Sequence, residues 1–190
     1  QDEGARLAAH LAIATLPIIG AAIVVYEVIG TDVMRRVTVI AWTTLGFGLA
    51  LLAADRFGAT VRRLERMAAG HALVVGLAQV LSLMPGTSRA GISITAARLL
   101  GYERREAARF AMLLSIPTIL AAGSVVAYDI YRTSSLGLGL DALIAALLAF
   151  LAALASIAGM MRWLRRATFT PFVVYRVLLG GGLLAWIYLG

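Results

Sequence analysis

The residues that could do chemistry cluster in one short stretch, SLMPGTSRAGIS, from Ser82 to Ser93. Arg89 carries a planar fork of donors that can hold two phosphate oxygens at once, where a lysine would be a point charge. Thr87 and Ser88 beside it offer hydroxyls, and Gly86 and Gly91 permit backbone conformations and close approaches that a side chain would block. Pro85 stops the incoming helix, because its ring disfavours helical backbone at the residue before it. A helix resuming around Gly91 would aim its free N–H groups back at the loop. Hydroxyls, N–H groups and a guanidinium converging in this way make an anion site, with phosphate the best match. The competing structural reading has Arg89 capping carbonyls or pairing with a carboxylate.

The surroundings make the stretch conspicuous. The chain has 190 residues, of which 61% are hydrophobic and 14% charged, and its mean hydropathy is +0.90. Soluble domains are about 45–50% apolar and about 25% charged, so the composition describes an integral membrane protein. Burying an arginine in lipid costs about 2.5–3.5 kcal/mol on insertion scales, and a function is the usual reason to accept that. The formal net charge is +7, there is no cysteine, and every basic residue is arginine. Disulfide and thiolate chemistry are excluded. The positive balance fits loops facing anionic lipid rather than nucleic acid, since no basic face with aromatic platforms accompanies it. The first residue is Gln1, which suggests a processed or trimmed product.

The elements that position the loop follow from length. A spanning helix needs about 20 apolar residues, and five segments supply them, at about 7–29, 37–54, 107–128, 138–161 and 171–189. The segment 71–100 does not fit, because its two apolar halves are each too short and PGTSRAG separates them. It is either one broken span or a re-entrant hairpin. Arginine parity decides. In the hairpin arrangement one side carries Arg56, Arg62, Arg63, Arg66, Arg104, Arg105, Arg109, Arg162, Arg165 and Arg166, against Arg35, Arg36 and Arg132 on the other. A single span would divide the same arginines almost evenly. The expected fold is all-α: one polytopic membrane domain of five spans plus a hairpin entered from the cytoplasm, its tip near mid-membrane.

At these residues the chain resembles a known family. GLAQVLSLMPGTSRAGISITAARLLG is similar to the second signature of the undecaprenyl-diphosphate phosphatase family, the bacitracin-resistance BacA/UppP enzymes, whose pattern there is Pro-Gly-x-Ser-Arg-Ser-Gly. The flanks HLAIATLPIIGAAIV, ARFAMLLSIPTILAAG and FTPFVVYRVLLG resemble the neighbouring helices of that family, so the likeness runs along the whole chain. Ala90 departs from the pattern by removing one hydroxyl. The resemblance implies an inverted-repeat architecture in a bacterial inner membrane. It also implies hydrolysis of undecaprenyl (polyprenyl) diphosphate to the monophosphate and phosphate, which recycles the carrier for peptidoglycan.

On that reading Gly86, Thr87, Ser88, Arg89 and Gly91 bind the diphosphate, with Ser88 and Arg89 catalytic. Arg89 would offset charge on the transferred phosphoryl, and Ser88 would donate to a phosphate oxygen or attack it. Gln79 would face the cavity and touch phosphate or water, or else hydrogen-bond a neighbouring helix, and Arg176 would meet a carboxylate or the loop unless it snorkels to the interface. The family's other signature, rich in acidic residues, serine and histidine, matches nothing here, so the chain would represent about the C-terminal two-thirds of such a protein. His10, His71 and Glu27 lack that context, and His71 reads as a helix cap. No cofactor or metal ligand is expected in this chain; a divalent cation, Mg or Ca, would sit on residues outside it. The expected partners are the polyprenyl diphosphate lipid, membrane lipids and a second copy in a homodimer, with no nucleic acid. A polyprenyl-phosphate flippase is the alternative, because broken helices in inverted repeats also build transporter sites.

Overall fold

The computed structural model describes residues 3–25, 36–132 and 136–189. Seven α-helices follow one another: α1 (Glu3–Val24), α2 (Val37–Phe57), α3 (Ala69–Val80), α4 (Arg89–Leu99), α5 (Arg104–Arg132), α6 (Leu136–Trp163) and α7 (Thr170–Leu189). Five of them, all but α3 and α4, are long and apolar enough to cross a membrane. The chain is therefore an all-α, multi-pass membrane protein. Helix boundaries differ from the sequence-based ones mainly at α5, which starts at Arg104 and runs to Arg132. The expected end of the first span lies outside the described residues. Pro17 and Pro117 sit inside α1 and α5, and Pro171 occupies the first turn of α7, where its missing N–H costs nothing.

Large apolar side chains along α6, such as Leu147, Phe150 and Leu154, are exposed, as suits a helix facing hydrocarbon. The tight contacts lie elsewhere. Gly76 of α3 packs on the backbone of Ala14 in α1, and Gly180 of α7 packs on Leu45 and Ala41 of α2. Without a hydrophobic drive between helices in lipid, such small residues let backbones approach and gain dispersion contact.

α3 and α4 form a hairpin. At 12 and 11 residues they rise about 16–18 Å each, roughly half the hydrocarbon thickness. Their outer ends meet. Val61 and Arg62 donate their N–H groups to Gly101 O at 3.1 and 3.0 Å, and Glu103 N–H returns one to Arg62 O at 3.0 Å. The Arg62 guanidinium donates to Leu100 O at 2.8 Å. His71 does not cap α3; its Nδ1 lies 2.9 Å from the hydroxyl of the fully buried Tyr102. Burial pushes the Tyr102 phenol pKa up, against the opposing pull of Arg62, so the hydroxyl stays neutral as a partner for His71.

The same end of the bundle is held by buried charge. Asp55, near the end of α2, lies 3.3 Å from Arg98 Nε and 2.6 Å from Arg104 Nε, and the Asp55 and Arg98 side chains are only 6% and 1% exposed. Arg98 also donates to the carbonyls of Ala59, Tyr102, Asp55 and Gly58. The second Asp55 oxygen accepts from Phe169 N–H at 3.3 Å. One carboxylate thus ties α2, α4, α5 and the approach to α7. Arg98 and Asp55 were unremarked in the sequence, where they sit inside an apolar run and a polar joint.

Two outcomes follow. Removing one member of a buried, hydrogen-bonded pair strands the other charge and costs about 3–5 kcal/mol, so Asp55→Asn should lower the thermal midpoint of the detergent-solubilised protein sharply; an unchanged midpoint would contradict the tie. Both ends of the hairpin should lie on one side of the membrane. Thr60→Cys and Arg105→Cys, in a chain with no native cysteine, should label with an impermeant thiol reagent from the same side. Labelling from opposite sides would exclude the hairpin.

Candidate functional site

The tip of the hairpin is the PGTSRAG loop. α3 gives way at Leu81–Leu83 to a 3₁₀ turn, and Met84 is extended with ψ 121°, as the residue before a proline must be. Gly86 has φ +87°, and a Cβ there would collide with Thr43 Oγ1, Ile40 O and Thr44 Oγ1. Glycine is required on both counts. Ser88 has φ +68° without being glycine, a conformation that costs of order 1–3 kcal/mol and clusters at functional sites. It is the N-cap of α4, its Oγ accepting from Gly91 N–H at 3.2 Å. One of the two hydroxyl lone pairs is so used, and among the described residues the Ser88 hydroxyl proton has no acceptor.

α4 begins at Arg89, two residues earlier than the sequence suggests. This changes which backbone donors are available. Thr87 N–H is used on Met84 O and Gly91 N–H on Ser88 Oγ. Among the described residues the Arg89 and Ala90 N–H groups have no acceptor, as expected in the first turn of a helix. The Arg89 side chain is half-buried and makes no ion pair or hydrogen bond with the described residues. A free guanidinium therefore stands at the positive end of a helix dipole, which favours an anion. Thr87 is turned inward, 1% exposed, with its Oγ1 unpartnered.

Neighbouring helices hold this loop by its carbonyls. Thr43 Oγ1 donates to Pro85 O at 2.6 Å and Thr44 Oγ1 to Gly86 O at 3.3 Å. Arg176 of α7 donates from one Nη to Gly86 O at 2.8 Å and Thr87 O at 3.0 Å. Among the described residues it pairs with no carboxylate. Its backbone passes close to α2 because Gly48 leaves room; a Cβ there would lie 3.0 Å from Arg176 Cβ. Thr43 and Thr44 carried no sequence signal, since threonines in an apolar helix usually bond their own backbone.

A cavity of about 230 Å³ opens beside the loop. Ser88, Gly91 and Arg176 form its polar end, while Leu51, Ile94, Met112, Met160 and Phe172 are among its apolar walls. Its shape of chemistry is amphiphilic, a polar tip on an apolar trough. Gln79 lies elsewhere. It is 1% exposed and bridges Ser93 at 3.4 Å and Thr118 at 3.5 Å, joining α3, α4 and α5. Thr95 bonds Gly91 O in its own helix. His10 lies near Arg6, Glu65 and Arg109 around a separate pocket, and His71 is at the hairpin base. Glu27 falls outside the described residues. No group of three or more His, Asp or Glu side chains comes together among the described residues, and the loop presents donors. A divalent cation does not fit it.

The Arg176 clamp is testable without any assumption about activity. Arg176→Met should strand Thr87 O and leave Gly86 O with only the Thr44 hydroxyl, at about 1–3 kcal/mol, and accelerate amide exchange across residues 84–90 at least tenfold, with α2 unaffected. Unchanged exchange in that window would show that the loop is held by other means.

Comparison with known proteins covers the whole described bundle. The family described as bacitracin resistance protein BacA matches residues 1–182. A protein named undecaprenyl-diphosphatase 1 from Rhodospirillum rubrum is 51% identical over 190 residues, covering 100% of this chain and 67% of the relative. An undecaprenyl-diphosphatase from Roseobacter denitrificans is 51% identical over 187 residues, covering 98% and 70%. Another from Ruegeria pomeroyi is 46% identical over 185 residues, covering 97% and 69%. With the PGTSRAG loop at its hairpin tip and a family match over nearly its full length, the chain belongs to the BacA family.

Proposed function

We propose that this chain forms the phosphate-binding part of an undecaprenyl-diphosphatase that works as a multi-pass protein of the bacterial inner membrane. The carrying observation is the loop itself. An unpaired Arg89, two free N–H groups and the Ser88 hydroxyl stand at a helix start, beside a trough whose walls are apolar. A polyprenyl diphosphate has the same two halves. Its headgroup would meet Arg89, the Ser88 hydroxyl and the Arg89 and Ala90 N–H groups, and its first isoprene units would lie against Ile94, Met112 and Phe172.

The reaction is phosphoryl transfer to water. A water oxygen bonds to the terminal phosphorus, and the bridging P–O bond breaks with its electron pair passing to the polyprenyl monophosphate. One proton from the water is released with inorganic phosphate. Charge spreads over the terminal phosphoryl oxygens on the way, and stabilising it by fixed donors is most of what such a reaction asks of a protein. Arg89 supplies a guanidinium from the start of α4, and the Thr43, Thr44 and Arg176 contacts fix the loop backbone that carries it. Ser88 donates its hydroxyl proton, which has no acceptor among the described residues, to a phosphate oxygen.

Among the described residues no carboxylate or imidazole lines the cavity. We therefore assign the proton-transfer groups, and any divalent cation, to the part of the relatives' length that this chain does not match. General acid–base help is worth about 10²–10⁴-fold, and the isolated chain should be slower by that order. A homodimer is part of the same proposal and would show as twice the protein mass in light scattering of the detergent complex.

The test is phosphate release from a polyprenyl diphosphate, measured for these 190 residues alone and joined to the upstream sequence of the source gene. The joined protein should be active. Arg89→Lys should lose most of that activity, because a point charge replaces the fork, and Arg89→Ala should lose more. Near-normal turnover by Arg89→Ala would remove Arg89 from the site, and full activity of the 190 residues alone would place the proton-transfer groups within them.

A further inference from the structure

At the opposite end of α2 from the loop, the basic joints enclose a second cavity. Thr43 and Asp55 are 12 positions apart on one helix, about 18 Å along its axis, so this place is separate from the diphosphate loop. The cavity is an open basin of about 570 Å³ between the start of α5 and the α6–α7 joint, with Arg104, Arg105, Arg165 and Arg166 on its walls. Among the described residues the one acidic side chain lining it is Glu103, which already pairs with Arg63 at 3.2 Å. Arg104 is committed to Asp55. Among the described residues Arg105, Arg165 and Arg166 have no carboxylate partner, yet they surround one concavity rather than spreading over a convex face.

The basin also has an apolar continuation. Leu164 is a buried part of its floor. Trp163, half exposed at the end of α6, donates its indole N–H to Thr168 O on the basin rim at 3.1 Å. Tryptophan in that position sits at headgroup level, and above it run the exposed apolar side chains of α6. Basic pockets between membrane helices are suited to anionic headgroups.

We propose that this basin binds the phosphate of an anionic phospholipid, whose acyl chains lie along α6. Arg105, Arg165 and Arg166 neutralise the headgroup, and Thr168 and Thr60 offer hydroxyls beside it. The bound lipid bridges the start of α5 to the joint leading into α7. Free phosphate has the same chemistry, so the experiment separates the two.

The probe is Trp163 fluorescence in the 190-residue chain carrying Trp42→Phe and Trp186→Phe, which leaves one tryptophan of the three. The protein is placed in phosphatidylcholine vesicles holding a small fraction of brominated phosphatidylglycerol, or of brominated phosphatidylcholine for comparison. The brominated phosphatidylglycerol should quench Trp163 at a much lower mole fraction than the brominated phosphatidylcholine. Each of Arg105→Gln, Arg165→Gln and Arg166→Gln should weaken that preference by about fivefold. Arg56→Gln with Arg66→Gln, which removes charge from exposed positions outside the basin, should leave it intact. Millimolar inorganic phosphate should not relieve the quenching; relief would overturn the lipid assignment in favour of the free ion. Equal quenching by the two lipids, or a triple variant that keeps the preference, would overturn the site itself.

Discussion

The bundle depends on a charge that water cannot reach. Asp55 accepts from Arg104 and Phe169 N–H and faces Arg98, itself bonded to four backbone carbonyls. Irregular backbone is unavoidable where α2, α4, α5 and α7 begin or end, and each break leaves carbonyls that need a protein donor where they are buried. Arg98 answers that need with five donors on a fixed fork, and Asp55 balances its charge. The pair is best understood as an organiser of chain ends, since a buried ion pair gains little net stability over well-packed apolar residues. Its geometry fixes where α4 ends, and through the rigid α4 it fixes where Arg89 begins.

The loop at the other end of α4 is organised by the reverse arrangement. There the neighbours donate and the loop backbone accepts: Thr43, Thr44 and Arg176 hold the carbonyls of Pro85, Gly86 and Thr87. With its carbonyls drawn back into the protein, the loop presents N–H groups, a hydroxyl and a guanidinium forward. This polarity is what an anion site requires, and it comes from three residues on two other helices. The strained Ser88 backbone is the local cost of turning from the loop into α4 within one residue.

Arg176 and Arg89 show two uses of the same side chain within one site. Arg176 is spent on protein carbonyls and makes the platform, whereas Arg89 is left without a protein partner. Arg176 is packed against α2 and the loop, where an unpaired guanidinium would be expensive. Arg176 recovers that expense from the loop. Arg89 has no such recovery among the described residues, which is why an anionic substrate is the reading that accounts for it.

Much of this was legible in the sequence. The excess of apolar residues fixed the membrane class, the 20-residue periods located five spans, and the arginine distribution favoured a hairpin before any coordinates. PGTSRAG identified its own chemistry because proline, glycine, hydroxyl and arginine are each individually costly in an apolar run. Other features needed the tertiary structure. Gln79 carried a polar amide one turn from the loop, but its helix rotation turns it toward Ser93 and Thr118. The free N–H groups belong to Arg89 and Ala90 rather than to a helix start around Gly91, because cap geometry, which sequence leaves open by a residue or two, decides where a helix starts. Arg176 could be a snorkelling, pairing or clamping residue on sequence alone, since a long flexible side chain is assigned by what lies within its reach. Asp55, Thr43 and Thr44 were silent for the same reason: their partners are 42 or more positions away along the chain, and only the fold brings them together.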